Sequence, residues 1–186
     1  YMKNQGKGDA VSYGMGKATG DYVSFIDSGM EIDPNGISML LEHMEWYNAD
    51  IIVASKRHPA SVVIYPWSRR ILSVGYQFIV WILFYLNVKD TQAGLKIFKK
   101  KVLLKILPRL LIKQYAFDLE MLAVSRHFGF TRIYEAPIEV TFDARTSRIK
   151  WSTIFKMAWD SLTVFYRLRI LHYYNDNNKR NWVYDP

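Results

Sequence analysis

The chain has 186 residues, with 25 Lys and Arg against 17 Asp and Glu, a net charge of +8 and no Cys. Half of the residues are hydrophobic and 16% are aromatic, which excludes an intrinsically disordered chain. The absence of Cys excludes a disulfide scaffold, a thiol enzyme and a Cys-ligated zinc domain. The length predicts one domain that buries a substantial core.

The first third of the chain predicts an α/β unit. A helix is expected over residues 9–18, a strand over 22–26, an apolar-faced helix from Ile37 to Met44, and a second strand over 51–55. This order favours an α/β domain with parallel strands, in which ligands bind beyond the carboxyl ends of the strands. The chain opens at Tyr1 with no strand before the first helix, so we expect an N-terminally truncated domain.

The rest of the chain alternates loops with longer helices. Pro137 interrupts a predicted strand and favours an edge or bulged position for it. The polar tail, 175–186, is expected to be loose. The other predicted elements are a loop over 58–66, an apolar helix over 69–87, a polar loop over 89–94, a strand over 95–98, a helix over 117–128, a strand over 133–142 and an aromatic helix over 151–174.

Two helices raise the question of a membrane. Residues 71–88 carry no formal charge, but only 78–86 are continuously apolar, which is too short to cross a bilayer. The helix over 151–174 mixes aromatic residues with Lys and Arg, a composition typical of a helix lying in the interface of an anionic membrane. The alternative is that both helices simply pack on the sheet.

Basic residues are concentrated in 96–113, which holds seven Lys and Arg and no acid. Such a stretch attracts phosphates of nucleic acid, lipid or a soluble ligand, and the alternative is an ordinary solvated surface. No nucleic-acid-binding motif is present, so we expect no nucleic-acid partner. The seven bases are Lys96, Lys99, Lys100, Lys101, Lys105, Arg109 and Lys113.

Acids and bases also follow the predicted strands. Asp27 and Glu31 come just after the first strand, where two hard carboxylates can hold Mg²⁺ or Mn²⁺ and, through it, a diphosphate. An ordinary acidic loop is the alternative. Paired bases at the same sheet end suit phosphate contacts. These bases are Lys56, Arg57, Arg69 and Arg70.

Several ordered motifs together resemble family 2 glycosyltransferases with the GT-A fold. The segments are Asn4-Gln5-Gly6-Lys7-Gly8, Gly20-Asp21-Tyr22-Val23, Arg69-Arg70-x-x-Ser73, Asp90-Thr91-Gln92-x-Gly94-Leu95-Lys96-x-Phe98 and Ala116-Phe117-Asp118-Leu119-Glu120. They are most similar to the polyprenyl-phosphate sugar transferases of the dolichyl-phosphate glucosyltransferase and mannose synthase types. The resemblance implies a Rossmann-like, mostly parallel sheet flanked by helices, with residues 1–150 forming the C-terminal portion of the domain and 151–174 an amphipathic interfacial helix.

The resemblance also implies an activity and its residues. The enzyme would transfer glucose or mannose, with inversion, from UDP-glucose or GDP-mannose to a polyprenyl phosphate on the cytoplasmic face of a membrane. Asp27 and Glu31 would bind the metal, although Gly29 replaces the second acid of the usual motif. Asp90, Arg69 and Gln92 would be the catalytic residues. Phosphates and substrate would contact Lys7, Lys56, Arg57, Arg70, Ser73, Arg145 and Arg148.

Two further expectations concern the chain as a unit. Because the segment that binds the nucleotide base in this family is not recognised here, we expect the chain to be inactive by itself. A non-catalytic, degenerate membrane-associated module that binds phosphates or a partner subunit is the alternative to an enzyme. A second copy of the chain or a membrane subunit is the further partner that we predict.

Overall fold

A computed structural model describes residues 6–28, 32–63, 67–114, 116–140, 151–178 and 182. For 62–63, 67–73 and 151–154 the description is limited to the backbone. The helices are α1 (Lys7–Lys17), α2 (Gly36–Trp46), α3 (Trp67–Phe84), α4 (Lys100–Ile106), α5 (Phe117–His127) and α6 (Trp151–Arg169). The strands are β1 (Tyr22–Ile26), β2 (Ile51–Ser55), β3 (Val62–Val63), β4 (Leu95–Lys99), β5 (Ile133–Pro137) and β6 (Glu139–Val140).

The central sheet is mixed, and this confirms the predicted α/β class. Its strand order is β1-β4-β2-β5, with β4 antiparallel to both β1 and β2, and β5 parallel to β2. Three strands therefore run in the same direction, and β4 runs against them. β1 and β2 share a direction as expected, but they are not neighbours because β4 lies between them. β5, which carries Pro137, lies at the edge of the sheet, as predicted.

Helices cover both faces of this sheet. Ile52 and Ile97 face a core cluster that includes Leu40 and Met44 of α2. The alternate positions, such as Val53, face a larger cluster built with α1, α3, α4, α5 and α6. Side chains alternate between the two faces of a strand, so β2, covered on both sides, is buried at all five positions. This explains why its first four residues, 51–54, are all apolar.

α3 and α6 pack together and also expose apolar residues. The Tyr76 hydroxyl lies 2.9 Å from the Ser161 hydroxyl, and the ring of Phe84 meets that of Phe165 edge to face. Their outer sides expose a set that we call the aromatic face: Val74, Phe78, Ile79, Trp81, Ile82, Phe155, Trp159, Leu162 and Tyr166. In the described part of the chain, no helix is long and apolar enough to cross a membrane.

The bases of the stretch 96–113 have partners within the fold. Acids pair with five of the bases: Asp118 with Lys96, Asp50 with Lys101, Asp176 with both Lys105 and Arg109, and Asp9 with Lys113. Lys99 donates to the Asn48 side chain, and Lys100 donates to the Ala18 carbonyl. The bases of this stretch therefore serve internal contacts as well, while Lys101 and Lys113 remain 58% and 51% exposed, and the attraction of phosphates stays a prediction.

The end of α6 and the start of the tail also differ from expectation. The helix ends at Arg169 rather than near 174, and Tyr174 is buried. The Tyr174 hydroxyl donates to the buried Glu120 carboxylate at 2.7 Å. Asp176 pairs with Arg109 at 2.5 Å, so residues 174–176 are anchored to the domain and are not loose.

Candidate functional site

A cleft opens beyond the carboxyl end of β1. Its volume is about 450 Å³, and we call it the Asp27 cleft. The backbone N–H of Asp27 donates to the Gly94 carbonyl at 2.8 Å, which places Asp27 directly beyond the β1–β4 ladder. The cleft is lined by Ile26, Asp27, Ser28, Ile32, Asp33, Pro34 and Glu139. Its position is the one that the sequence predicts for a ligand site in an α/β sheet.

The Asp27 carboxylate is held by Lys7. The Lys7 ammonium lies 2.9 Å from one carboxylate oxygen and 3.1 Å from the other. Lys7 is the first residue of α1, whereas Asp27 follows β1, so the pair ties the start of a helix to the end of a strand. Lys7 was predicted to contact phosphate; the structure places its ammonium at Asp27, the predicted metal ligand, and the phosphate contact stays a prediction.

Two buried residues continue the line of charges into the core. Asp118, at the start of α5, accepts from Lys7 at 3.0 Å and from Lys96 at 2.6 Å. The Lys96 ammonium also donates to the Ala93 carbonyl at 2.6 Å, and its side chain is 0% exposed. We call Asp27, Lys7, Asp118 and Lys96 the charge chain. Its charges alternate in sign and sum to zero, which keeps the buried ions paired.

Aromatic and glycine neighbours fix this arrangement. The ammonium groups of Lys7 and Lys96 lie 5.7 and 5.3 Å from the centre of the Phe25 ring, within cation–π range. A Cβ on Gly94 would lie 2.4 Å from Asp27 Oδ2, so only glycine leaves room for the carboxylate. Burial alone would lower the pKa of Lys7, but Asp118 and Asp27 outweigh it and raise that pKa, so Lys7 is a stable cation.

At the end of β2, Asp90 serves as an acceptor for the backbone. One of its carboxylate oxygens accepts the Lys56 N–H at 3.1 Å. Glu135 of β5 accepts the N–H groups of Lys89 and Asp90 at 2.8 and 3.1 Å. The structure thus brings the loop 89–94 against Lys56, because β4 runs antiparallel to β2 and begins at the end of the sheet where β2 finishes. Asp90 has a structural partner here, which suits an orienting role better than proton abstraction.

Gln92 is the second predicted residue in this loop. Its amide nitrogen is buried and makes no hydrogen bond of good geometry in the described part of the chain, although its side chain lies beside the Tyr76 hydroxyl. The loop is tied to α3 because the Thr91 hydroxyl donates to the Gln77 side chain at 3.4 Å. Burial raises the pKa of the nearby Tyr76, which keeps the phenol neutral. An unpartnered buried donor is a group that a substrate oxygen can satisfy.

Several predicted site residues cannot be placed. Glu31, Arg145 and Arg148 lie outside the described residues. Arg69, Arg70 and Ser73 lie on α3, but their side chains are also outside the description. Among the residues that are described, no three His, Cys, Asp or Glu side chains form a group able to hold a metal ion.

Sequence reasoning missed two members of the charge chain. Lys96 looked like part of a basic surface, and Asp118 looked like a helix-dipole residue. Both stand in motifs that carry the family resemblance, Gly94-Leu95-Lys96 and Phe117-Asp118-Leu119. The alternation along β4 was the available signal, because Lys96 shares a face with Phe98, which is directed to the core.

A model of one protein family matches most of the chain. The family is described as glycosyl transferase family 2, and the match covers residues 2–107. The chain belongs to this family. The sequence-based recognition is therefore confirmed.

Curated relatives carry a common description. A dolichyl-phosphate beta-glucosyltransferase of Drosophila melanogaster is 31% identical over 133 residues, covering 68% of this chain and 41% of the relative. The Homo sapiens protein of the same description is 26% identical over 177 residues, covering 91% of this chain and 54% of the relative. The Dictyostelium discoideum protein is 28% identical and covers 89% and 52%. The chain thus spans about half the length of these relatives.

Solved structures share the fold. Mannosyl-3-phosphoglycerate synthase from Rubrobacter xylanophilus has a TM-score of 0.63 and 16% identity, covering 94% of this chain and 54% of the other. Glucosyl-3-phosphoglycerate synthase from Mycobacterium tuberculosis, crystallised with Mn²⁺, UDP-glucose and phosphoglyceric acid, has a TM-score of 0.61 and 14% identity, covering 87% and 54%. These likenesses confirm the GT-A architecture.

Proposed function

We propose that the full-length protein transfers glucose from a nucleotide sugar to a dolichyl-type polyprenyl phosphate. The observation that carries the proposal is the match to dolichyl-phosphate beta-glucosyltransferases over as much as 91% of this chain. This description favours glucose over mannose, the other sugar that the motifs allow. A β-linked product from an α-linked nucleotide sugar requires inversion at the anomeric carbon.

The acceptor explains why the described site contains no evident general base. A phosphate monoester has a second pKa of about 6 and is mostly dianionic at neutral pH, so it is already a nucleophile. The protein must instead align two anionic substrates and offset their repulsion. We propose that Lys56, Arg57, Arg69, Arg70, Ser73, Arg145 and Arg148 contact their phosphates. Asp90 and Gln92 would orient sugar or acceptor oxygens from the loop 89–94.

A divalent cation, Mg²⁺ or Mn²⁺, fits the Asp27 cleft by its chemistry. Asp27 offers a hard carboxylate ligand at the cleft wall, and such oxygen ligands suit both ions. The relative crystallised with Mn²⁺ and UDP-glucose supports this choice. We propose that Asp27 holds the cation together with Glu31 and the donor diphosphate. When bound, the cation would stabilise the negative charge on the departing nucleoside diphosphate.

The aromatic face suits a lipid acceptor. Nine large apolar side chains are exposed on α3 and α6, and α6 also exposes Lys156 and Arg169. Aromatic residues mixed with bases are typical of helices that lie in the headgroup region of anionic bilayers. We propose that this face lies on the cytoplasmic surface of a membrane, where the acceptor phosphate is located. A second copy or a membrane subunit on the same face is the competing prediction.

The proposal is tested with full-length protein on vesicles containing dolichyl phosphate. We expect label to enter the lipid from radioactive UDP-glucose in the presence of Mg²⁺ or Mn²⁺, and much less label from GDP-mannose. Asp27→Asn should lower kcat/KM by about 100-fold or more, the scale of losing one electrostatic stabiliser. The matched control is Asp21→Asn, because Asp21 is an exposed acid at the opposite end of β1 and should leave transfer unchanged.

The outcomes separate the enzyme from the alternative module. No lipid product from either donor would overturn the proposed reaction and favour a non-catalytic membrane-associated module. Full activity of Asp27→Asn would refute the cation assignment while keeping the transferase. Efficient transfer from GDP-mannose alone would replace glucose by mannose as the sugar.

A further inference from the structure

The charge chain contains more charge than a single metal ligand requires. Asp27 could stand in the cleft alone, yet the fold uses a fully buried Lys96 and a 3% exposed Asp118 to bring Lys7 to it. Burying an ion pair is costly and often adds no net stability. Stability therefore gives no strong reason for this arrangement, and a role at the cleft gives one.

We propose that Asp118 is a positioning residue that holds the Lys7 ammonium against Asp27, so that Lys7 and a divalent cation compete for the same carboxylate. This inference rests on the proposed function, because the divalent cation is the one proposed there for the transfer reaction. In the absence of a cation, Lys7 neutralises Asp27. When a cation binds, the Lys7 ammonium leaves Asp27 but keeps its bond to Asp118. It then stays at the cleft, close to the anion that the cation carries.

Geometry makes competition the expected relation between the two cations. Lys7 contacts both oxygens of Asp27, at 2.9 and 3.1 Å, so neither oxygen is free of the ammonium. The carboxylate occupies the space that a side chain at position 94 would fill, so it packs directly against the Gly94 backbone. Because Asp27 is 41% exposed, a cation can reach it from the cleft side. Two cations at one such carboxylate repel each other, and one must move.

Asp118 sets where Lys7 goes when it moves. Its Oδ2 lies 3.0 Å from Lys7, and its Oδ1 lies 2.6 Å from Lys96, so it is anchored from the core side. With Asp118 present, Lys7 exchanges two acidic partners for one. Without Asp118, Lys7 would lose its last partner on leaving Asp27, and cation binding would be harder. A residue with only a structural role would not produce this dependence on Lys7.

The test is a mutant cycle read by Mn²⁺ binding to the full-length protein without nucleotide, measured by electron paramagnetic resonance of free Mn²⁺. Lys7→Met should tighten binding by about three- to tenfold, the scale of a partly exposed ion pair. Lys7→Arg keeps the cation and should bind like the wild type. Asp118→Asn with Lys96→Met removes both buried charges together and should weaken binding about threefold or more.

The decisive comparison places the Asp118→Asn and Lys96→Met pair in the Lys7→Met background. There we expect no effect on Mn²⁺ affinity, because the ammonium that Asp118 positions is gone; such non-additivity is the sign of direct coupling. An equal effect in both backgrounds overturns the proposal. So does a Lys7→Met protein that binds Mn²⁺ no more tightly, or an Asp27→Asn protein that binds it as well as the wild type.

Two safeguards keep the result interpretable. If the paired Asp118 and Lys96 variant fails to fold, as judged by circular dichroism, the comparison of Lys7→Met with Lys7→Arg decides. Glucose transfer is measured on the same preparations. A preserved Mn²⁺ cycle without transfer refutes the proposed function and leaves this inference standing, whereas transfer without the cycle refutes the inference alone.

Discussion

Replacing Gly94 by Ala is the most direct structural test of the Asp27 cleft. The added Cβ would lie 2.4 Å from Oδ2, 2.7 Å from Cγ and 2.9 Å from Cβ of Asp27. Favourable contacts between such atoms lie near 3.5 Å or beyond, so each overlap is large. The Gly94 backbone is not in the left-handed region, so the obstacle is steric and not conformational.

The expected cost follows from which atoms can move. Rotating the Asp27 carboxylate relieves Oδ2 and Cγ, but it breaks the contact with Lys7. The contact with Asp27 Cβ cannot be relieved by rotation. It requires a backbone shift against the 2.8 Å hydrogen bond from Asp27 N–H to the Gly94 carbonyl. Overpacking of this kind lowers the free energy of unfolding by about 1–3 kcal/mol.

The assay is guanidinium unfolding of four proteins: wild type, Gly94→Ala, Asp27→Gly and the double variant. Removing the Asp27 side chain removes all three clashes. In that background we expect Gly94→Ala to be neutral or to stabilise by up to about 1 kcal/mol, through the lower entropy of the unfolded chain. Gly14→Ala is the matched control. Gly14 lies within α1 with no atom near its would-be Cβ, so Ala should stabilise by about 0.5–1 kcal/mol.

The reasoning would be refuted by an equal destabilisation of Gly94→Ala with and without the Asp27 side chain. That result would mean that Gly94 is required for a reason other than room for the carboxylate. Glucose transfer adds a second reading. If the displaced carboxylate is the cation ligand, Gly94→Ala should lower kcat/KM in the same direction as Asp27→Asn.

Two further predictions concern the core and the aromatic face. Burial raises the pKa of Glu120 above its ordinary value of 4.5, so the folded state binds this proton more tightly than the unfolded state. That stabilisation is complete below pH 4.5 and is lost as the pH rises through the folded pKa. The free energy of unfolding of the wild type should therefore fall relative to that of Glu120→Gln between pH 4.5 and 7. A difference in guanidinium unfolding that does not change with pH would contradict this. Trp159 is 71% exposed on α6, and Trp159→Glu should weaken flotation with anionic vesicles by about tenfold. Trp46 is 86% exposed on α2, at the other face of the sheet, and Trp46→Glu should leave flotation unchanged. Equal loss in both would refute the aromatic face as the membrane contact.

Local patterns in the sequence predicted the elements near the cleft well. β1 and β2 have the predicted bounds, because each is a five-residue run ended by polar or turn residues. α4 was not predicted, since it spans only seven residues inside a basic stretch. The position of β4 between β1 and β2 was also out of reach. Strand pairing is decided by long-range contacts that no local period encodes.

For the site residues too, local sequence predicted the position of a residue but not its distant partners. Asp27 was predicted because it directly follows a strand, and position along the chain was enough. The partners of Lys7 were not, because they lie 20 and 111 residues away. A base in a sequence looks available for a phosphate until the fold shows which acid it meets. The stretch 96–113 was interpreted as a phosphate-attracting face for this reason, whereas Lys7 was assigned to phosphate through the family resemblance.

The internal use of these bases changes what the net charge of +8 means for the proposed reaction. Two of the bases nearest the Asp27 cleft, Lys7 and Lys96, are neutralised by Asp27 and Asp118, and Asp33 and Glu139 add negative charge to its wall. A diphosphate would be repelled by such a wall. A divalent cation at Asp27 would reverse this locally, and it would release Lys7 from Asp27 at the same time. The acidic wall and the Lys7–Asp27 pair thus lead to the same prediction for the proposed reaction, that the cation would bind before or together with the nucleotide sugar.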